Sequence, residues 1–184
     1  LVSLVIGVPL GLYAAYYRGI AESIIMRITD IFMAFPGVIL VLVAVALVGP
    51  SVWSVSIIIG IMGFTGFTTV SRLGYVEGAK VIGAGGAEII WKYVLPNSMA
   101  PILVSAAFNM SSAILTESAL SFLGMGVQPP QASWGNIIFE AQSIAILIGK
   151  PWQWVPAGVA IIVTVMSINF LGDGLRDALD PKAY

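Results

Sequence analysis

Residue types that do chemistry are scarce in this sequence, and their spacing limits what they can do. Cys and His are both absent, which removes thiolate nucleophiles, His-based triads, disulfide frameworks and the usual zinc sites. Gly149-Lys150 is followed by Pro151 and has Ile144 where a phosphate loop needs its first Gly, so ATP binding by that route is not expected. Asp173, Asp177 and Asp180 stand beside Arg176 and Lys182 and read as a solvated tail rather than a metal site. No catalytic, cofactor-binding or metal-binding residue is expected. Glu117 is different, because it interrupts an otherwise apolar helix just after the uncharged run Ser98–Thr116. An ionisable residue in a membrane span is a functional candidate. An intramembrane enzyme using it would need a second polar group converging at the same depth, and Glu117 stands alone. A passive channel would need a ring of charges or a carbonyl filter, and none is identifiable.

The elements that position these residues follow from composition. The chain is 59% hydrophobic and 9% charged over 184 residues, against about 25% charged in a soluble domain. So much apolar surface does not fit one soluble core. The net charge of −1 offers no basic patch for nucleic acid. Charge-free runs divide at Gly49-Pro50 and Pro96 into five spans, roughly 1–17, 28–48, 52–70, 97–118 and 155–172, each near the length that crosses the hydrocarbon core. Period-2 alternation is missing, and open sheets cannot face lipid. The expectation is an all-α integral membrane protein.

Orientation follows from Lys and Arg. With five spans, Arg18, Arg27, Arg72, Lys80, Lys92, Arg176 and Lys182 fall on one side and Lys150 alone on the other. The positive side is cytoplasmic. The 18–27 connection, the 72–96 loop and the C-terminal tail are therefore expected inside, and the 49–51 turn and the 119–154 segment outside. Residue 1 then lies at the outer face, inside an apolar run with no basic stretch before it, which points to an earlier span preceding it. The external segment holds Pro129-Pro130, Trp134, Pro151, Trp152 and Trp154. It reads either as an interfacial re-entrant loop anchored by Trp or as a docking or gating surface.

The segment Tyr75–Pro96 is cytoplasmic in this scheme yet mostly apolar. Tyr75, Ala79 and Ile82 share one helical face, with Glu77 and Lys80 on the other. Gly83 suits a helix-ending left-handed residue, and Gly85-Gly86 extends the turn. A second helix over Ala87–Val94 puts Ile89, Ile90, Tyr93 and Val94 on one side and pairs Glu88 with Lys92. Leu95-Pro96 stops it and starts the next span. The result is a helical hairpin whose apolar face needs a partner.

The run Glu77-Gly78-Ala79, Gly83 and Tyr93-Val94-Leu95-Pro96 resembles the EAA loop of binding-protein-dependent ABC importer permeases. Leu95-Pro96-Asn97 to Ala100-Pro101, Glu117 to Pro130, Ser133-Trp134-Gly135-Asn136 and the closing Asn169–Asp180 are similar to the dipeptide/oligopeptide/nickel branch, and most of all to its C-type permease. Two departures stand out. Gly78 takes the place of the motif's middle Ala, at a cost of about 1 kcal/mol in helix propensity. Only Leu73-Gly74 separate Arg72 from Tyr75, where about a dozen residues are usual, a gap judged as other loop lengths are. Either the protein is shortened there or residues are missing from the chain.

The resemblance implies a single permease domain over 1–184 with the type I ABC importer fold, six spans counting one before residue 1, and a multi-pass place in the inner or plasma membrane. It implies partners: a second permease in a heterodimer, two ATP-hydrolysing ATPases, an external substrate-binding protein and membrane lipid. Glu77, Gly78, Ala79, Gly83, Leu95 and Pro96 would couple to the ATPases, whose closure would move the permeases as rigid bodies to alternate access. Cargo would be dipeptides, oligopeptides or nickel. Glu117 lies about 30 Å along the helix from Pro96, near the outer boundary, either as a polar partner at the helix end or on the cargo path.

Overall fold

A computed structural model describes residues 1–17, 19–71 and 89–179. The described residues are mostly helical, with no strand among them. The helices are α1 (Val2–Tyr17), α2 (Gly19–Ala34), α3 (Gly37–Val48), α4 (Val52–Met62), α5 (Phe64–Ser71), α6 (Leu95–Phe122), α7 (Trp134–Phe139), α8 (Ile144–Gly149) and α9 (Pro151–Leu179). A π-helical turn, Ile89–Val94, leads into α6.

Among the described residues, three stretches are long and apolar enough to cross a membrane: Val52–Thr69, Leu95–Phe122 and Pro151–Leu179. The expected span over 28–48 is not one helix. It is broken by a bend at Phe35-Pro36, and α2 with α3 makes a fourth span only as a bent pair. Pro36 is the reason: it lacks an N–H, its ring crowds the preceding turn, and it biases Phe35 away from helical geometry. Arg27, expected in a connection, lies inside α2. The first expected span is α1, an apolar helix of 16 residues.

The chain divides into two compact units. The first is built from the described parts of Leu1–Phe35, Ile61–Ala107 and Leu171–Tyr184. Here α1 lies against α5, and small residues allow the close approach. Gly7, Gly11, Ala14 and Ala15 are buried on α1, the spacing by which packed membrane helices bring backbones together. A Cβ on Gly7 would overlap Phe64 O and come within 2.6 Å of Phe67 Cβ. The buried Thr68 hydroxyl lies 3.2 Å from Gly7 O and 3.1 Å from Phe64 O, sharing its one proton between the two helices. Phe32 of α2 meets Phe64 edge to face at 5.4 Å, a favoured aromatic geometry.

The second unit comprises Pro36–Gly60 and Phe108–Phe170. Val41 and Val45 of α3 and Val55 of α4 are buried in it. Gly49 ends α3 at φ 103°, and its N–H caps Val45 O. Ser51 opens α4, its Oγ accepting from Ser54 N at 3.1 Å. The 119–154 segment, expected as a loop, is largely helical: α6 runs on to Phe122, α7 and α8 follow, and α9 begins at Pro151.

Candidate functional site

The polar site begins where α6 ends. Gly124 adopts φ 76°, a left-handed conformation that costs Gly little. Its N–H donates to Ser121 O at 3.0 Å, and Met125 N–H donates to Leu120 O at 2.9 Å. These two bonds form a Schellman motif, which satisfies carbonyls that a helix end leaves open. The chain turns back, and Gln142 Nε2 donates to Phe122 O at 2.6 Å.

Glu117 is held inside this turn. Ser121 Oγ donates to Glu117 Oε1 at 2.7 Å, and the Ser118 hydroxyl lies 3.5 Å from Oε2. Val127 N–H in turn donates to Ser121 Oγ at 3.0 Å. The backbone amide, hydroxyl and carboxylate thus form a chain in which each bond polarises the next. Ser121 is 2% exposed, and its oxygen is already occupied by Val127 N–H. It is not presented as a nucleophile, and its bonds tie Val127 of the following turn to the last turns of α6.

Glycines bring the loop onto this chain. A Cβ on Gly126 would overlap Ser121 Oγ and stand 2.5 Å from Ser121 N. A Cβ on Gly135 would stand 2.6 Å from both Ser118 O and Ser121 Cβ. Gly135 is fixed by a capping box at the start of α7: Ser133 Oγ accepts from Asn136 N at 3.2 Å, and Asn136 Oδ1 accepts from Ser133 N at 2.9 Å. Such reciprocal bonds satisfy two orphan donors at once. Asn136 Nδ2 then donates to Gln131 O at 2.7 Å, and Gln131 Oε1 accepts from Val52 N at 3.2 Å, reaching the first turn of α4.

The expected coupling residues are elsewhere. Leu95 and Pro96 open α6, where a missing N–H is tolerated. Glu77, Gly78, Ala79 and Gly83 lie outside the described residues. The expected second hairpin helix over 87–94 is described only from Ile89, where it is the π-helical turn. Pro96 has no N–H for Lys92 O and its ring crowds that carbonyl; a wider turn relieves both. Of the expected apolar face, Val94 clusters with Leu12 and Ala15 of α1 and Ile90 packs against that cluster; Tyr75, Ala79 and Ile82 lie outside the described residues.

Sequence reasoning singled out Glu117 as a polar candidate and gave no role to Ser118, Ser121, Gly126 or Gly135. The available signals were the i, i+4 spacing of Glu117 and Ser121 and the Gly124-x-Gly126 pattern just past the span. Asp173, Arg176 and Asp177 lie exposed on the last turns of α9.

A family model described as the binding-protein-dependent transport system inner membrane component matches residues 7–183. The chain is similar to the glutathione transport system permease protein of Pectobacterium atrosepticum, with 40% identity over 190 residues, covering 99% of this chain and 62% of that protein. It is also similar to the di/tripeptide transport system permease protein of Pseudomonas aeruginosa, 40% identical over 191 residues, covering 98% of this chain and 62% of that protein. A third relative, the dipeptide transport system permease protein of Alkalihalophilus pseudofirmus, is 38% identical over 188 residues, covering 98% and 61%. The chain thus spans between 61% and 62% of the length of these relatives.

Proposed function

We propose, from the premise that this chain belongs to the family of binding-protein-dependent transport system inner membrane components, that it is a permease subunit of an ATP-driven importer of peptide-class cargo. The observation that carries this reading is the family match over residues 7–183. The relatives named above carry glutathione, dipeptide or di/tripeptide in their names, which favours peptides over nickel as cargo. The subunit pairs with a second permease, two ATPases hydrolyse ATP on its behalf, and an external binding protein delivers cargo. It catalyses no reaction itself.

Its C-terminus and the 72–96 segment face the cytoplasm, and the 49–51 turn and the 119–154 segment face outward. The bond from Val52 N to Gln131 Oε1 supports this, because it holds together two segments that the scheme places on one side. Coupling runs through Glu77, Gly78, Ala79, Gly83, Leu95 and Pro96. Val94 is 1% exposed and packed on Leu12 and Ala15, directly before the 28-residue α6. A push delivered there moves the base of α6 together with α1, because close-packed groups transmit displacement with little compression.

The test is crosslinking with a paired substitution. A cysteine at Gly78 or Lys80 should crosslink to a cysteine on the ATPase surface in the assembled complex. Gly83→Val puts a β-branched residue, which resists a left-handed backbone, at the expected turn of the hairpin, and should leave membrane insertion intact and abolish most transport. Normal transport by Gly83→Val, with no crosslink from the hairpin, would refute the coupling assignment.

A further inference from the structure

The short helix α8 presents an apolar face that nothing among the described residues covers. No residue of α8 is buried. Ile144 and Ile148 are 72% and 75% exposed, and Leu147 is exposed beside them; at i, i+3 and i+4 they share one side of the helix. Two hydrogen bonds fix where that face lies. Trp154 Nε1 donates to Leu147 O at 3.2 Å, holding α8 beside the first turn of α9. Gln142 Nε2, just before α8, donates to Phe122 O at the end of α6. All of these residues belong to the second compact unit.

The start of α9 marks a membrane boundary. Trp152, its second residue, is 67% exposed. Val155, Val159, Ile162, Met166 and Phe170 are exposed too, and with Trp152 they fall within an arc of about 80°. From Trp152 to Phe170 this apolar side runs about 27 Å, close to the thickness of the hydrocarbon core, about 30 Å. Trp at the end of such a strip is the residue that settles at the headgroup level. Trp53, the second residue of α4, is exposed in the same position of another span. The apolar face of α8 therefore lies at the level where the apolar side of α9 begins. Lys150 joins the two helices, is exposed, and is the one charge between Glu140 and Asp173.

We propose that α8, Lys150 and Trp152 form a lipid anchor at the membrane interface, in the outer leaflet of the topology proposed above. The α8 face lies among acyl chains, and the Lys150 ammonium meets a phospholipid phosphate. Of the two readings open for the external segment, a Trp-anchored interfacial loop and a docking surface, this selects the first for 144–152. An exposed apolar face signals a partner protein or a membrane. Continuity with the apolar side of α9 favours lipid, and so does persistence: a binding protein that comes and goes would leave the face in water between encounters. Lys150 suits the same place, since its stem can lie along apolar surface while the amine reaches the headgroups. Through Gln142 the anchor holds the end of α6, and with it the Glu117 turn, at the interface. The proposal rests on α9 being a membrane span and not on the cargo.

The test uses the natural absence of cysteine. A nitroxide is attached to single cysteines at Ile144 and Ile148, with exposed Ile162 as the lipid control and exposed Ala132 as the water control. The importer, assembled in liposomes with cysteine-free partners, is exposed to oxygen, which concentrates in lipid, and to chromium oxalate, a charged complex that stays in water. The oxygen-to-oxalate relaxation ratio at Ile144 and Ile148 should approach that of Ile162 and exceed that of Ala132 at least about tenfold, because ions are excluded from hydrocarbon. Saturating binding protein should leave these ratios unchanged. Lys150→Glu should lower the ratio at Ile148 and Lys150→Arg should keep it; no change in Lys150→Glu would overturn the phosphate contact. Ratios equal to that of Ala132 would put α8 in water. Loss of access to both reagents when binding protein is added would put it under that protein, and access to neither from the start would put it under the second permease. Each of these overturns the anchor. An Ile162 label in water would instead refute the α9 span, so the two failures are told apart.

Discussion

Glu117 accepts the Ser121 hydroxyl at 2.7 Å while Ser121 accepts Val127 N–H, and this chain decides which substitutions the position tolerates. Glu117→Gln keeps a carbonyl oxygen for Ser121. Glu117→Leu leaves a buried hydroxyl without its acceptor, a loss worth about 1–3 kcal/mol. Thermal unfolding in detergent should show a clearly lower midpoint for the Leu variant and a small change for the Gln variant. Equal midpoints for native and Leu would mean that the bond contributes nothing. Glu117 was legible in the sequence because a charge in an apolar run stands out. Ser121 was not, since serine is ordinary inside membrane helices and only the folded turn brings Val127 onto it.

At the scale of elements, the end of α6 and the turn that follows form one built unit, from the Schellman motif at Gly124 to the capping box at Ser133. Gly126→Ala would drive a methyl into Ser121 and should break the Val127 bond, at about 1–3 kcal/mol for such overpacking. Gly158→Ala in α9 meets nothing within 4 Å and should be neutral or stabilising by up to about 1 kcal/mol. Unfolding midpoints of the two variants are expected to move apart; a harmless Gly126→Ala would show that the loop does not close on the helix as described. Charge-free runs revealed the long helices because hydropathy reports burial in lipid. They concealed the break at Phe35-Pro36, because proline's effect is on the backbone and scarcely changes hydropathy. They also concealed α7 and α8, which at six residues each are too short to show a period. The close approach of α1 to α5 was written in Gly7 and Gly11, a spacing whose meaning depends on which helix lies opposite.

For the whole molecule, topology and coupling must agree. Cysteines at Pro50 and Ala132, both exposed, should react with an impermeant maleimide from outside the cell, and one at Ala183 should react only after the membrane is opened. The reverse pattern would invert the molecule and place the EAA segment away from any cytoplasmic ATPase. The most direct test of the proposed function is uptake by this protein reconstituted with the proposed second permease, ATPases and binding protein in proteoliposomes. Labelled di- or tripeptide and binding protein are supplied on the outer face, and ATP on the ATPase face. Accumulation should require ATP hydrolysis and every subunit, and should vanish when the ATPases are omitted or inactivated. Peptide flux through the permeases without ATPases, or chemical conversion of the peptide by this chain alone, would contradict it.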